Sequence, residues 1–168
     1  MSTRSATVDV GQSNVSGLSR SQVLFFVPFV VFVAHTLEEM PAFADWVSAH
    51  FAPLTTETFT VSHIPLILLV LAASWRASRP AARTGWVILA TAFQWQFAVN
   101  AGFHLGTAVL FGQYSPGMLT AATVALPATV YFFGRLRRER WLTSGQMVAS
   151  MILGSVIAAA AIGVLFLG

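Results

Sequence analysis

Five long apolar segments constrain the fold of this chain more than any other feature of its sequence. They cover residues 22–40, 58–75, 84–111, 118–134 and 145–168, and each approaches the roughly 20 apolar residues that an α-helix needs to cross a bilayer. Only 9% of the residues are charged, whereas a soluble domain carries about a quarter. The sequence therefore predicts an all-α membrane protein, a multi-pass bundle of five transmembrane helices in the cell membrane.

The basic residues predict how these helices are oriented. All nine are arginines, and they precede the first segment or lie between the second and third and between the fourth and fifth. Because basic residues accumulate in short cytoplasmic loops, this alternation places the N-terminus inside and the C-terminus outside. The net charge of +3 thus reflects membrane topology, and no basic face interleaved with aromatic residues indicates nucleic acid as a partner.

The start of the chain is polar. Residues 1–21 are rich in serine and lack the apolar centre of a signal peptide, so they are predicted to form a disordered cytoplasmic tail. Residues 22–168 then form a single transmembrane helical domain. Neither cysteine nor lysine occurs in the chain, which excludes disulfides, thiolate metal sites and Schiff-base chemistry.

The first apolar segment ends in HTLEEM, residues 35–40, and so places ionisable groups where lipid is expected. Such residues cost about 2.5–3.5 kcal/mol each on insertion scales, which makes an intramembrane cluster of them a functional hypothesis. From the helical rise, His35, His63 and His104 on the first three helices lie at one level in the outer half of the bilayer. Asn100 and His104 also belong to one polar stripe, together with Gln96, on the third helix.

Three imidazoles and a carboxylate at one level form a set of metal ligands. The predicted ligands of a divalent metal, zinc or iron, are His35, His63, His104 and Glu39. Glu38 or Glu39 is predicted to be the general base beside a metal-bound water, with either of them as the fourth ligand. Asn100, one turn deeper, is predicted to orient a ligand or to polarise the substrate.

The same residues resemble a known signature. The motif H-x-x-E-E at His35, Glu38 and Glu39, followed by N-x-x-x-H at Asn100 and His104 and by a Pro-Gly turn, is similar to that of the HXXEE-domain family of small bacterial integral membrane proteins. The likeness covers the first four segments, about two-thirds of the chain. It implies a small integral membrane protein whose histidine and glutamate residues share one site, and it implies no particular reaction.

Three functions are compatible with such a site. The first is a membrane metalloenzyme, a hydrolase or an oxidoreductase, acting on a lipidic or isoprenoid-like substrate. The second is a metal-free isomerase or terpenoid cyclase, in which a protonated Glu38 or Glu39 protonates a double bond. The third is a carrier for a metal ion or a proton, with the cluster as a transit point.

The remaining expectations concern packing. Ser150, Gly154 and Ala158 recur every four residues in the fifth segment, so another helix is able to approach this face closely. A second copy of the chain is therefore an expected partner through this face. The other expected partners are membrane lipid and a hydrophobic small-molecule substrate. The outer loop, residues 41–57, is predicted to be irregular, with Trp46 and Phe51 as anchors at the membrane interface.

Overall fold

The computed structural model describes residues 20–167, and in this part of the chain every regular element is helical. The predicted N-terminal tail lies outside the described residues except for its last two positions, which open the first helix. In chain order the helices are α1 (Arg20–Val23), a 3₁₀ turn (Leu24–Phe26), α2 (Val27–Glu39), α3 (Phe43–His50), α4 (Thr56–Ala77), α5 (Thr84–Phe111), α6 (Met118–Thr120), a π-helical turn (Ala121–Ala125), α7 (Leu126–Glu139) and α8 (Ser144–Val164).

Helices form at all five apolar segments, but the number of spans is confirmed only in part. Among the described residues, three helices are long and apolar enough to cross a membrane: Thr56–Ala77, Met118–Glu139 and Ser144–Val164. A fourth span is possible if Leu24–Glu39 and α3, which meet at a bend of 70°, cross together. α5 is long enough, with 28 residues, but its glutamine, asparagine and histidine residues lower its hydropathy.

Two apolar clusters lie at opposite ends of an antiparallel bundle. One cluster lies where α5 and α8 begin and where α4 and α7 end. Its buried residues include Leu24, Ala77, Val87, Leu136 and Leu142. The loops that hold the arginines, residues 76–83 and 135–140, therefore lie at the same end of the bundle, which we call the arginine end. At this end Arg79 lies over the ring of Trp75, 4.2 Å from its centre, an arrangement typical of an interfacial cation–π contact.

The opposite end is covered by α3, a helix that the sequence analysis did not predict. Phe43 and Val47 of this helix are buried and pack with Phe59 at the start of α4. Trp46 is also buried, with only 8% of its surface exposed, and it contacts Phe51. The predicted loop is therefore corrected to a helix over Phe43–His50, whose apolar residues recur at helical spacing, and the predicted anchors Trp46 and Phe51 both pack in this cluster.

The small-residue face of α8 packs against α5 of the same chain. Ser150, Gly154 and Ala158 are all buried within the chain. A Cβ atom added at Gly154 would lie 2.3 Å from the backbone oxygen of Ala92, so the two helices are as close as a glycine permits. The close approach expected for this face is present, but α5 occupies the face, and the expected contact between copies of the chain through it is corrected to an intrachain contact.

Candidate metal centre

His35 of α2 and His104 of α5 meet inside the bundle. Their Nε2 atoms lie 3.2 Å apart, and the exposed fractions of the two residues are 4% and 0%. Both side chains leave their helices on the face that packs against the other helix, so lipid contacts neither of them. The prediction that these two distant histidines converge on one pocket is confirmed.

Glu39 adds a carboxylate to the two imidazoles. It follows His35 by one turn of α2, and its Oε1 lies 3.5 Å from His35 Nε2 and 3.3 Å from His104 Nε2. The three side chains are all buried, and within the described residues they form a group able to hold a metal ion. We call His35, Glu39 and His104 the His–Glu triangle. A carboxylate buried this deeply is stable only beside a cation or a shared proton.

Hydrogen bonds orient the ring of His35. Its Nδ1 lies 2.9 Å from Thr120 Oγ1, and that hydroxyl donates in turn to the Gly117 carbonyl at 3.2 Å. The hydroxyl therefore accepts from the Nδ1–H of His35, which leaves the lone pair of Nε2 directed at the triangle. The Nδ2 of Asn100 lies 2.8 Å from this Nε2, so Asn100 reaches the site from one turn below His104.

His104 has a matching partner on its outer nitrogen. Its Nδ1 lies 3.1 Å from Ser115 Oγ, and the Thr107 hydroxyl, which donates to the Phe103 carbonyl at 2.8 Å, lies 3.3 Å from the same oxygen. With Nδ1–H donating to Ser115, the Nε2 lone pair of His104 also points into the triangle. Both imidazoles can thus present an unprotonated nitrogen next to Oε1 of Glu39.

Residues 114–120, which we call the cap segment, lie directly on the two imidazoles. At Gly117, in the middle of this segment, φ is 98°, a value that side chains with a Cβ rarely adopt. A Cβ atom there would lie 2.7 Å from Cε1 of His35 and 2.8 Å from Cε1 of His104. Glycine is therefore required at this position for two reasons: the positive φ of the backbone and its close approach to the two imidazoles.

Glu38 contacts the cap segment and lies outside the triangle. Its carboxylate accepts hydrogen bonds from the backbone N–H groups of Leu119 at 2.9 Å and Thr120 at 2.6 Å, and from the Tyr114 hydroxyl. These two amides begin α6, where a carboxylate is stabilised by unpaired N–H groups and by the helix dipole. Partial burial and the bond to Glu38 raise the pKa of Tyr114 to about 12. The structure therefore places Glu38 against the start of α6 and outside the group able to hold a metal, which corrects its predicted role as a ligand.

His63 is not brought into the triangle either. Its Nδ1–H donates to the Phe59 carbonyl at 2.7 Å, and its ring lies 4.1 Å from that of Phe59. It is near enough to interact electrostatically with Glu39, but the metal-capable group does not include it. The prediction of His63 as a third histidine ligand is corrected, because the depth of a residue does not specify which way its helix face points.

Sequence reasoning missed Ser115, Thr120 and Gly117. They lie around the Pro-Gly turn at the start of the fourth apolar segment, a turn that belongs to the family signature but to whose residues the sequence assigns no role. The available signal was a pair of hydroxyl residues on either side of the turn, in a segment that joins the helix of His104 to the next one. Hydroxyl side chains are common in turns, so this signal does not by itself distinguish a site from a loop.

Comparisons with known proteins agree with the motif at this site. The family model described as "Protein of unknown function with HXXEE motif" matches residues 26–132. The matched region contains the His–Glu triangle, Asn100 and the whole cap segment. No curated protein and no solved structure matches the chain.

Proposed function

The chain belongs to the HXXEE family, and we propose that it is a multi-pass membrane metalloenzyme whose divalent metal is held by His35, Glu39 and His104. We further propose that it acts on a lipidic or isoprenoid-like substrate in the cell membrane. Asn100 would orient the substrate or a ligand beside the metal.

The spacing of the three ligand atoms is the observation that supports this proposal most. The three separations are 3.2, 3.3 and 3.5 Å. Ligand atoms about 2.0–2.1 Å from a tetrahedral zinc ion lie about 3.3–3.4 Å from one another, whereas adjacent ligands of an octahedral iron ion lie about 3.0 Å apart. Three ligand atoms at these separations are able to hold one divalent metal ion, zinc or iron.

The number and type of ligands also favour a catalytic centre. Structural zinc sites use four protein ligands, whereas catalytic zinc sites use three and keep one position open. Two neutral imidazoles and one carboxylate match the ligand set of known hydrolytic zinc sites. A metal in the triangle would also supply the positive charge that the buried carboxylate of Glu39 requires. Its chemistry there would be that of a Lewis acid.

The surroundings favour a hydrophobic substrate. Phe43 lies beside His104, with 5.8 Å between the ring centres, and Phe32 of α2 packs against Phe97 of α5. The bundle around the triangle is made of helices of which at least three are apolar enough to cross a membrane. These apolar surroundings would suit a lipid or an isoprenoid better than a polar metabolite.

The proposed topology has five membrane crossings, with α5 and the bent α2–α3 pair included. The arginine end would face the cytoplasm, the N-terminus would be inside and the C-terminus outside. α5 carries its polar residues toward α2 and α7, so its low hydropathy does not prevent it from crossing at the centre of a bundle. The triangle would then lie in the outer half of the bilayer.

One observation favours a metal-free alternative, in which the triangle works by acid–base chemistry. The Asn100 amide lies within hydrogen-bonding distance of His35 Nε2, at 2.8 Å, and so competes with a metal for that lone pair. However, hydrogen bonds between imidazolium and carboxylate groups are about 2.7–2.9 Å long, and Glu39 lies 3.3 and 3.5 Å from the two imidazoles. Neither separation is that of a short imidazolium–carboxylate hydrogen bond.

Metal analysis of the purified protein tests the proposal. The wild-type protein, loaded with Zn²⁺ in detergent and washed, is expected to retain about one equivalent of metal, because the triangle forms one site. His104→Ala and Glu39→Ala are expected to lose it. His63→Ala is the matched control, since His63 is a neighbouring histidine outside the triangle, and it is expected to retain the metal. A wild-type protein that retains no metal, or a His63→Ala protein that loses as much as His104→Ala, would overturn the proposal.

A further inference from the structure

We propose that the cap segment is the outer shell of the metal centre and that Glu38 is the positioning residue that holds it in place. In this arrangement Glu38 controls metal affinity without touching the metal. The inference rests on the proposed function, because it assigns a second set of residues to the same site.

The first observation concerns the outer nitrogens of the two imidazoles. Thr120 is the partner of His35 Nδ1 at 2.9 Å, and Ser115 is the partner of His104 Nδ1 at 3.1 Å. Both hydroxyls belong to the cap segment, on opposite sides of Gly117. One stretch of seven residues therefore fixes the orientation of both histidines, although the histidines come from different helices.

The second observation is that one carboxylate ties down both ends of this segment. Glu38 accepts from the Tyr114 hydroxyl at the start of the segment and from the N–H groups of Leu119 and Thr120 at its end. Thr120 makes both contacts, because its N–H donates to Glu38 and its hydroxyl orients His35. Loss of the carboxylate would release the backbone of the residue that the imidazole depends on.

The third observation explains why the motif contains two adjacent glutamates. Successive residues of an α-helix point about 100° apart, so Glu38 and Glu39 at the end of α2 face different neighbours. Glu39 faces His104 of α5, whereas Glu38 faces the start of α6. The first glutamate therefore holds the outer shell, and the second lies in the triangle.

The outer shell affects the metal through the ligands. A histidine ligand usually donates its second N–H to a fixed acceptor, which sets its tautomer and its ring orientation and increases its basicity. Removing such an acceptor typically weakens metal binding by about 10–100-fold. Thr120 and Ser115 occupy these acceptor positions here, and Glu38 acts one step further out.

The sharpest test compares two substitutions at Thr120. Thr120→Val removes the hydroxyl with little change of shape, and Thr120→Ser keeps it. We expect Thr120→Val to weaken Zn²⁺ binding by about 10–100-fold in a chelator competition titration, and Thr120→Ser to restore an affinity near that of the wild type. Thr123→Val is the matched control, because the Thr123 hydroxyl donates to the Leu119 carbonyl of its own helix and does not contact an imidazole.

A second substitution tests Glu38 by a different measurement. Glu38→Gln keeps the size of the side chain but replaces one acceptor oxygen and removes the charge. We expect weaker metal binding and an altered visible absorption spectrum of the Co²⁺-loaded protein, because a released cap segment changes the ligand geometry. Glu57→Gln, at an exposed glutamate in the first turn of α4, is the control and is expected to leave both unchanged. The helical circular dichroism of each variant shows whether it is folded.

The outcomes separate this inference from the proposed function. If the wild-type protein binds Zn²⁺ and Thr120→Val and Glu38→Gln bind it equally well, the outer-shell role is wrong and the metal centre stands. If Thr120→Ser binds as weakly as Thr120→Val, the hydroxyl has no role and the inference also fails. If the wild-type protein binds no metal, the proposed function fails and the inference fails with it.

Discussion

At two glycines another part of the chain lies close to α5, and the two glycines meet different kinds of atoms. Gly154 of α8 faces the α5 backbone, and a Cβ there would lie 2.3 Å from the Ala92 carbonyl oxygen. Gly117 of the cap segment faces imidazoles, and a Cβ there would meet Cε1 of His35 and of His104. The first contact brings two helices together, whereas the second brings a loop onto reactive side chains.

This difference separates the stability of the bundle from the integrity of the site. A side chain at position 154 must push apart two long helices, because the atom it meets belongs to the backbone. A side chain at position 117 must displace two imidazole rings that lie at the edge of the bundle core. We therefore expect the first kind of substitution to destabilise the fold and the second kind to weaken metal binding.

The largest effect is expected from Gly154→Ala. The added Cβ cannot be accommodated without separating α5 from α8, so we expect the free energy of unfolding in detergent to fall by about 2–3 kcal/mol. Gly163→Ala is the control within the same helix, because nothing lies within 4 Å of its added Cβ, and its stability should be unchanged or slightly greater. Equal stabilities of the two variants would show that the α5–α8 contact is looser than the distance at Gly154 indicates.

The next largest effect is expected from Gly117→Ala, measured as metal affinity. Displaced imidazoles no longer present Nε2 atoms at ligand spacing, so we expect Zn²⁺ binding to weaken by about 10–100-fold. Gly112→Ala is the control, because Gly112 also has a positive φ, of 65°, but its added Cβ meets nothing within 4 Å. Both variants carry backbone strain, and only the first crowds the histidines. A comparable loss of affinity in Gly112→Ala would attribute the effect to strain.

A smaller effect is expected at a buried polar contact of α5 that lies outside the site. Gln94 donates to Thr129 Oγ1 of α7 at 2.9 Å, so Thr129→Val should lower the free energy of unfolding by about 1 kcal/mol and leave Zn²⁺ affinity unchanged. Thr91→Val is the control, since the Thr91 hydroxyl bonds only to the Val87 carbonyl of its own helix. A loss of metal binding in Thr129→Val would show that the two faces of α5 are coupled.

The smallest effect is expected from the ionisation of Tyr114. Its pKa is raised to about 12 by burial and by the Glu38 carboxylate, so the bond to Glu38 forms with the neutral phenol. Because the folded-state pKa is raised, its contribution to stability is present below pH 10 and is lost as the pH rises through about 12. An ultraviolet titration should show one tyrosinate that forms near pH 12 and disappears in Tyr114→Phe. A Tyr114 that ionises near pH 10 would contradict this contact.

Helices were predictable at the apolar segments, because apolar runs are local features. The helix at the fourth segment, 118–134, nevertheless continues to Glu139, and the helix at the fifth, 145–168, ends at Val164. α5 begins and ends at the predicted residues, and its end is set by Gly112 in the left-handed conformation. A loop is predicted where α3 forms, because the segment lies between two apolar runs, although Phe43, Val47 and His50 have helical spacing. The number of crossings does not follow from hydropathy alone. Whether α5 crosses depends on how the other helices shield its polar residues, which is a property of the assembled bundle.

The candidate site was predictable in its centre and not in its periphery. His35, Glu39 and His104 follow from depth and from the turn of each helix, and the structure brings them together. His63 has the same depth, but the rotation of α4 about its own axis depends on packing that no single-helix pattern contains. Glu38 adjoins Glu39, yet its carboxylate faces the N-terminus of a helix that begins 80 residues later in the chain.

The π-helical turn at Ala121–Ala125 fixes how many residues this part of the chain must contain. Its closing bond runs from the Leu126 N–H to the Ala121 carbonyl, so the turn holds one residue more than an α-helical turn. That extra residue shifts the phase of the helix between Thr120, which must face His35, and Thr129, which must face Gln94. Deleting a single residue here would bring the two threonines out of register, so that the helix could satisfy one of its neighbours but not both.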